Sequence, residues 1–411
     1  MPGIIAFPKV VEEAVDEFGW IFANTPERWH FAEYLTGLLV AERKNVAAIN
    51  AEFAQTTDQS CLNRWITQVP WDVEQLNEHR LAWLQSHPST RYSARGVIAI
   101  DNTLIDHSGQ LIEDVGWLWD HAGNRHLIAH DYIIANYVCA SGKHYPLEFR
   151  RFRKRDPEEE ERQDGGTPPF KSHTDLFKEL VDWVVEREIP GDFTFDCYFS
   201  SVENLNHLHS HHRSYVGDLK SNRKIVFQGR QMKATEVAEL IESDARKPVC
   251  IGNRKQWYFT KTVRIPEVDH PVRLVILWNR KNGKKPVKFL VTSRVHWEIN
   301  RILNVYRDRW TGTETFHRDG KQHLGMGDCQ LRNGEGQTRH MYLVMLAYSL
   351  LMARMKQSRA SEWAHTVLMT IGEACRAVSR ETLSKTLAWA LEQATTCGWN
   401  HQRIVAHLAL T

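Results

Sequence analysis

From residue 9 to about residue 87 the apolar positions recur at helical spacing, as in Phe31, Tyr34, Leu35, Leu38 and Leu39, with no alternating run among them. This predicts an α-helical N-terminal domain over residues 1–92. Within it KNVAAINAEFA, a break at TTD and QSCLNRWITQV have the proportions of a helix-turn-helix with Asn63, Arg64 and Gln68 on its second helix; hairpins that merely pack share those proportions. HPSTRYS at 87–93 interrupts the period with Pro and small polar residues and reads as a linker. The pattern then changes. RGVIAID is an apolar, β-branched run, and HDYIIANYVCASGKHYPLEFRRF holds two strand-like runs around Ser141-Gly142-Lys143, so a buried strand followed by a β-hairpin is expected. A helix near 173–189, the strand FTFDCYF, a helix near 200–211 and the strand SYVGDLK complete an α/β segment over 93–221. QWYFTKTVRI, PVRLVILWN, the Asn282-Gly283 turn and PVKFLVTS make a second, β-rich block over 222–296. Helix returns at HWEINRILNVYRDRW and TETFHRDGKQHL over 297–336, and the apolar spacing of 337–411 is helical.

Length and composition narrow this picture. A chain of 411 residues exceeds the usual single domain, and 42% hydrophobic with 25% charged residues is the balance of a packed globular protein. No stretch approaches the roughly 18 uninterrupted apolar residues of a membrane span, and MPGIIAFPKVVEEAVDEF has no basic region followed by an apolar run, so a cytoplasmic protein with no membrane partner is expected. Seven widely spaced cysteines with no CxxC pair argue against a disulfide framework and a zinc finger alike. The net charge of +2, from 52 basic and 50 acidic residues, is no bulk nucleic-acid signature, so a DNA surface requires local clusters of Lys and Arg. NRKNGKK at 279–285 is one such cluster, at a hairpin tip, where a solubilising turn is an equal reading. RDPEEEERQDGGTPP reads as an exposed, solvated loop. The 21 His and 15 Trp are scattered and receive no collective role.

Strand, hairpin, helix, strand, helix, strand is the order of an RNase H-like α/β domain. The expected fold class is therefore α/β, an RNase H-like core interrupted by a β-rich insertion, with helical N-terminal and C-terminal regions. Phosphodiester cleavage with two magnesium ions needs hard oxygen ligands converging on ions roughly 3.5–4 Å apart. Asp101 ends the apolar strand Val97 to Ile100, an unusual place for a charge that is neither ligated nor paired. Asp196 has a similar setting between Phe195 and Tyr198. Glu314 lies on a predicted helix whose face it shares with Arg318 and Lys321, four and seven residues on. A single Asp at a strand end commonly caps a turn or helix. The joint arrangement carries the reading: two strand-end aspartates and a helical glutamate, in the order and element types of a two-metal nuclease.

YRDRWTGTETFHRDGKQHLGMGDCQLR at 306–332 resembles the glutamate-bearing signature of bacterial insertion-sequence DDE transposases of the cut-and-paste type. In that signature a Tyr, an Arg, the catalytic Glu and a Lys follow in order, here Tyr306, Arg309, Glu314 and Lys321, with one extra residue between Arg309 and Glu314. AIDNTLIDHSGQ resembles the first-Asp strand, with Asn102 in place of a second Asp common in relatives, and position 102 is left out of the metal site. FDCYFSSVENL resembles the second-Asp segment, and the β-rich block the insertion these transposases carry before the Glu.

The resemblance implies a DNA transposase in which Asp101, Asp196 and Glu314 are catalytic and hold two Mg2+ (or Mn2+) ions. It would cut at the transposon terminal inverted repeats and transfer the freed 3′-hydroxyl into target DNA, as a dimer on the double-stranded DNA of the bacterial nucleoid. Tyr306, Arg309, Arg318 and Lys321 would contact flanking phosphates, and Arg64 in the N-terminal domain is a further candidate for DNA binding. Trp297 or Trp310 is placed to stack on a displaced base, unless it only packs in the core. A catalytically silent DNA-binding regulator derived from a transposase, or an RNase H-type nuclease without strand transfer, are the competing readings.

Overall fold

The computed structural model describes residues 3–121, 123–154, 169–355 and 367–408. The acidic loop expected at 155–169 lies almost wholly outside the described residues. The chain divides into two compact units, one comprising residues 1–91, 104–130 and 316–411, the other 92–103 and 131–315.

The first unit is mainly helical. Its N-terminal helices are α1 (Lys9–Phe18), α2 (Thr25–Val40), α3 (Val46–Ala51), α4 (Gln59–Thr67) and α5 (Val73–Ser86). Their starts are set by side chains that satisfy free N–H groups: Asn24 accepts from Glu27, Asp58 from Ser60, and Asp72 from Glu74 and Gln75. The expected helix-turn-helix corresponds to α3 and α4. The apolar face of α4 (Leu62, Trp65, Ile66) is buried, with Trp65 stacked on Trp71 at 5.4 Å, while Asn63 is half-exposed, Arg64 is exposed and Gln68 is the C-cap. The N-terminal helices pack with the C-terminal ones, α10 (Gly334–Arg354) and α11 (Ile371–Thr395).

Helix α10 is apolar around most of its circumference and buried accordingly, so its polar groups are paired internally. Arg80 donates to Ser349 Oγ at 2.8 Å and to Asn77 Oδ1. His340 Nε2 lies 2.8 Å from the Gly325 carbonyl and its Nδ1 lies 2.8 Å from the Tyr34 hydroxyl. A carbonyl only accepts, so Nε2 carries the proton and Nδ1 accepts from Tyr34.

The second unit is built on one mixed sheet. Strand β1 is Val97–Asp106, β3 is Arg125–Val138 and β4 is His144–Phe152; β2 (Gly116–Asp120), which belongs to the first unit, pairs with the first residues of β3, in that same unit. After α6 (His173–Glu186) come β5 (Asp192–Phe195), α7 (Val202–Ser210) and β6 (Tyr215–Asp218). β4 and β3 form the antiparallel hairpin beside β1, and β1, β5 and β6 run parallel, which is the RNase H-like arrangement expected from the element order. β1 runs further than its apolar start implied: Asp101 is inside the strand, not at its end.

The β-rich block extends the same sheet. β12 (Lys288–Thr292) pairs with β6, followed by β11 (Val272–Trp278), β10 (Arg254–Val263) and β9 (Lys247–Ile251). A hairpin of β7 (Lys224–Phe227) and β8 (Arg230–Lys233), then α8 (Ala234–Leu240), forms the rest of the block. Helix α9 (Ile299–His323) follows, and its Ile302, Leu303 and Val305 pack in one core with Val97, Val138, Val216, Val275 and Leu290.

Burial holds the His340 imidazole down at about 4, well below the ordinary histidine value. It is neutral in folded and unfolded chains above pH 6.5, and as pH falls towards 4 only the unfolded chain takes up the proton, so stability is lost across that window. Between pH 7 and 5 the wild-type chain should lose about 2 kcal/mol more stability to urea than a His340→Gln variant. Equal losses in the two chains would show that His340 is not held neutral.

Candidate active site

The parallel register sets the geometry. β1 pairs with β5 from Val97↔Asp192 to Ile100↔Phe195; Asp101 is the next residue of β1 and Asp196 the first residue after β5. β5 pairs with β6 as far as Phe195↔Gly217, so Asp218 continues the row on the third strand. Three aspartates thus sit at one level of neighbouring strands.

Helix α9 brings the other groups. Gly312 lets it approach the sheet: a Cβ there would lie 2.9 Å from Val138 Cγ2 and 3.1 Å from Ala99 Cβ. One turn earlier, Arg309 forms an ion pair with Asp101 through its Nη1, and Thr313 Oγ1 lies 3.4 Å from Asp101 Oδ2. Arg309 is therefore largely buried, and its Nε has no hydrogen-bond partner among the described residues.

Burial pushes the Asp101 carboxyl up to about 7; the Arg309 guanidinium opposes this, and the charges of Asp196 and Glu314 add to it. Asp196 is also held above the carboxylate range by burial, against the backbone N–H of Tyr198, which donates to its Oδ1 at 2.8 Å. The charges of Asp196 and Glu314 thus both act on Asp101. The donor set is hard oxygen, and repulsion in a desolvated site is the condition that a divalent cation relieves, so these residues fit such an ion.

Tyr306 donates to Asp218 Oδ2 at 3.3 Å, and Lys288 Nζ binds the same oxygen at 2.8 Å. The charge of Asp218 in turn raises Asp196. Asp218 was not singled out from the sequence, although it closes β6 within SYVGDLK much as Asp196 follows directly on β5. Asn102 is directed elsewhere: its Nδ2 donates to both carboxylate oxygens of the buried Asp131, at 2.9 and 3.2 Å, and His173 Nε2 lies 2.7 Å from Asp131.

Trp297 is half-buried against the core, its ring covered by the Arg301 guanidinium at 3.8 Å, whereas Trp310 is exposed. Arg318 and Lys321 belong to the first unit, where Arg318 pairs with Asp319 at 2.9 Å and Lys321 donates to the Leu104 carbonyl at 2.8 Å. In NRKNGKK, Lys281 pairs with Asp244 at 2.8 Å, and Arg280, Lys284 and Lys285 are exposed. All seven cysteines are free, and among the described residues no helix is long and apolar enough to cross a membrane.

Comparison with known families agrees with this fold. The family described as DDE superfamily endonuclease matches residues 17–248, more than half of the chain, and the chain belongs to that superfamily. The transposase DDE domain family matches residues 165–350, and the two matches together support a DDE transposase. Neither match alone spans Asp101, Asp196 and Glu314; the two together do. No curated protein matches the chain. Membership implies nuclease or transposase activity on DNA with a divalent metal.

Gly312 sets how closely α9 approaches Asp101. Gly312→Leu should lower DNA cleavage about 100-fold, the cost of misplacing reacting groups by about an ångström, with Gly312→Ala intermediate and the far-UV circular dichroism unchanged. Wild-type cleavage rates in both variants would show that this contact does not position the site.

Proposed function

We propose that Asp101, Asp196 and Glu314 are the catalytic carboxylates of a transposase that cuts double-stranded DNA at transposon terminal inverted repeats and joins the freed end to target DNA. The observation that supports this most is the adjacency of Asp101 and Asp196 in the β1–β5 register with the charge of Glu314 acting on Asp101.

The three carboxylates would hold two Mg2+ or Mn2+ ions. When bound, such ions polarise a phosphate oxygen and make a water molecule more acidic. The rest falls to the chain. Arg309 has a buried N–H donor without a partner beside Asp101, suited to a phosphate oxygen. Tyr306 and Lys288, anchored on Asp218, form the next positions for a phosphate. Trp297 acts through Arg301, whose guanidinium its ring supports. Arg318, Lys321 and, in the N-terminal helices, Arg64 would bind flanking backbone, which positions DNA without reading its sequence.

In the first step a water oxygen attacks phosphorus and the 3′-oxygen leaves, giving a 3′-hydroxyl and a 5′-phosphate. In the second that 3′-hydroxyl attacks a target phosphodiester and displaces another 3′-hydroxyl. Two ends must be joined at one target, which calls for a dimer on DNA.

With Mg2+ and DNA carrying the terminal repeats, the wild-type protein should yield both cut and joined products, and Asp101→Asn, Asp196→Asn or Glu314→Gln should each reduce both by about 1,000-fold or more while retaining DNA binding. Specific binding without cleavage by the wild type would identify a silent regulator. Cutting without joined products would identify a plain nuclease.

A further inference from the structure

Four histidines fall within six positions of the chain, His207, His209, His211 and His212, on and just after α7. The fold sorts them. The exposed His209 stacks on the buried His270 at 3.9 Å, and His270 Nε2 meets the Tyr215 hydroxyl at 2.8 Å, so that pair is engaged elsewhere. His207 and His211 are one helical turn apart and turn the other way, towards Asp182 on α6. Both present Nε2 to the same carboxylate oxygen: His207 at 2.7 Å from Asp182 Oδ1 and His211 at 3.0 Å. The three ligand atoms all lie within 4.8 Å of one another, and all three residues are half-buried, open on one side.

We propose that Asp182, His207 and His211 form a second metal site, distinct from the three-carboxylate centre, that takes a zinc-class divalent ion and clamps α6 to α7. Two imidazoles and one carboxylate form a donor set for zinc, with the open side left for a water molecule as fourth ligand. In tetrahedral coordination with metal–ligand bonds of about 2.0–2.1 Å, the nitrogen-to-oxygen separations would be roughly 3.3 Å. The present separations of 2.7 and 3.0 Å would have to open by roughly 0.6 and 0.3 Å. On binding, the ion takes the place of the Nε2 protons, and each imidazole keeps its proton on Nδ1.

The choice of metal follows from the ligands. Magnesium prefers oxygen donors in octahedral geometry and suits the carboxylate centre, whereas paired imidazoles favour zinc, cobalt or nickel. The consequence is structural. α7 starts at the Ser201 cap, just after the Asp196 turn, so a clamp between α6 and α7 steadies the segment that carries Asp196.

Cobalt is a suitable probe, since four-coordinate Co2+ absorbs in the visible. The full-length protein, stripped of metal by chelator and held in excess Mg2+ to fill the carboxylate centre, would be titrated with CoCl2 and then with ZnCl2. We expect one equivalent of Co2+ to give four-coordinate bands that Zn2+ abolishes, and ZnCl2 to raise the melting temperature. His207→Ala and His211→Ala should each weaken binding by more than the roughly 10–100-fold that loss of an outer-shell partner costs. Asp182→Asn, nearly isosteric, should do the same with the fold intact by circular dichroism. His209→Ala and Asp101→Asn should leave the bands unchanged. Absence of the bands in the wild type, their survival in the His207→Ala and Asp182→Asn chains, or their loss in Asp101→Asn would each overturn the proposal.

Discussion

A carboxylate inside an apolar strand is the constraint around which the second unit is organised. Asp101 follows Val97, Ile98, Ala99 and Ile100, all fully or almost fully buried, and is itself buried. An unpaired charge in such a place costs several kcal/mol, so the fold must supply a partner. That partner is Arg309, and it reaches Asp101 only because α9 comes against β1 and β3 without a side chain at Gly312. The same approach carries Thr313 and Glu314 to the site. One guanidinium does not offset the cluster, which is why burial and neighbouring charge leave the Asp101 carboxyl raised despite the ion pair. A site left with surplus buried negative charge has affinity for cations, and this links the packing of α9 to the proposed chemistry.

Much of this was legible in the chain. The apolar runs before Asp101 and Asp196 mark two buried strands, while the Ile100↔Phe195 register that sets them side by side is given by the fold. The motif from Tyr306 to Lys321 marks the helix. What could not be read is the direction in which side chains turn. Arg309, expected at a phosphate, is turned inward onto Asp101, because nothing in local spacing reports the charge it meets across the fold. Asp218 lies in a strand the chain does mark, but its partners Lys288 and Tyr306 are 70 and 88 residues away. The histidines looked scattered for the same reason: Asp182 is 25 residues before His207 and on another helix.

Asn102 shows how a departure from a family pattern can be given another use. A carboxylate there would add negative charge next to Asp101. The amide instead donates to Asp131, whose other contact is His173 at the start of α6, and the His173 ring stacks on Phe152 at 4.0 Å. This ties β1 to β3 and to α6 immediately beside the carboxylates. Asp131 is buried and accepts from a neutral amide and an imidazole, so its charge is satisfied locally and not by the Arg309 that Asp101 requires. The two aspartates therefore do not compete for the same cation.

The nearly balanced net charge also has a structural reading. In the sheet order β9 lies at an edge, and it presents exposed Lys247 and Pro248, while its neighbour β10 carries exposed Arg254, Lys255 and Lys261. Charged residues and proline on an edge deter pairing with a second sheet. These basic residues have a sufficient reason in the fold whether or not they touch a nucleic acid. Conversely, the guanidinium closest to the candidate centre, that of Arg309, is hidden and contributes little to the outer surface. Total charge therefore conveys little about where a polyanion would bind. What distinguishes this site is a buried arginine with an unfilled donor next to carboxylates that repel one another, a local imbalance that neither composition nor surface counting registers.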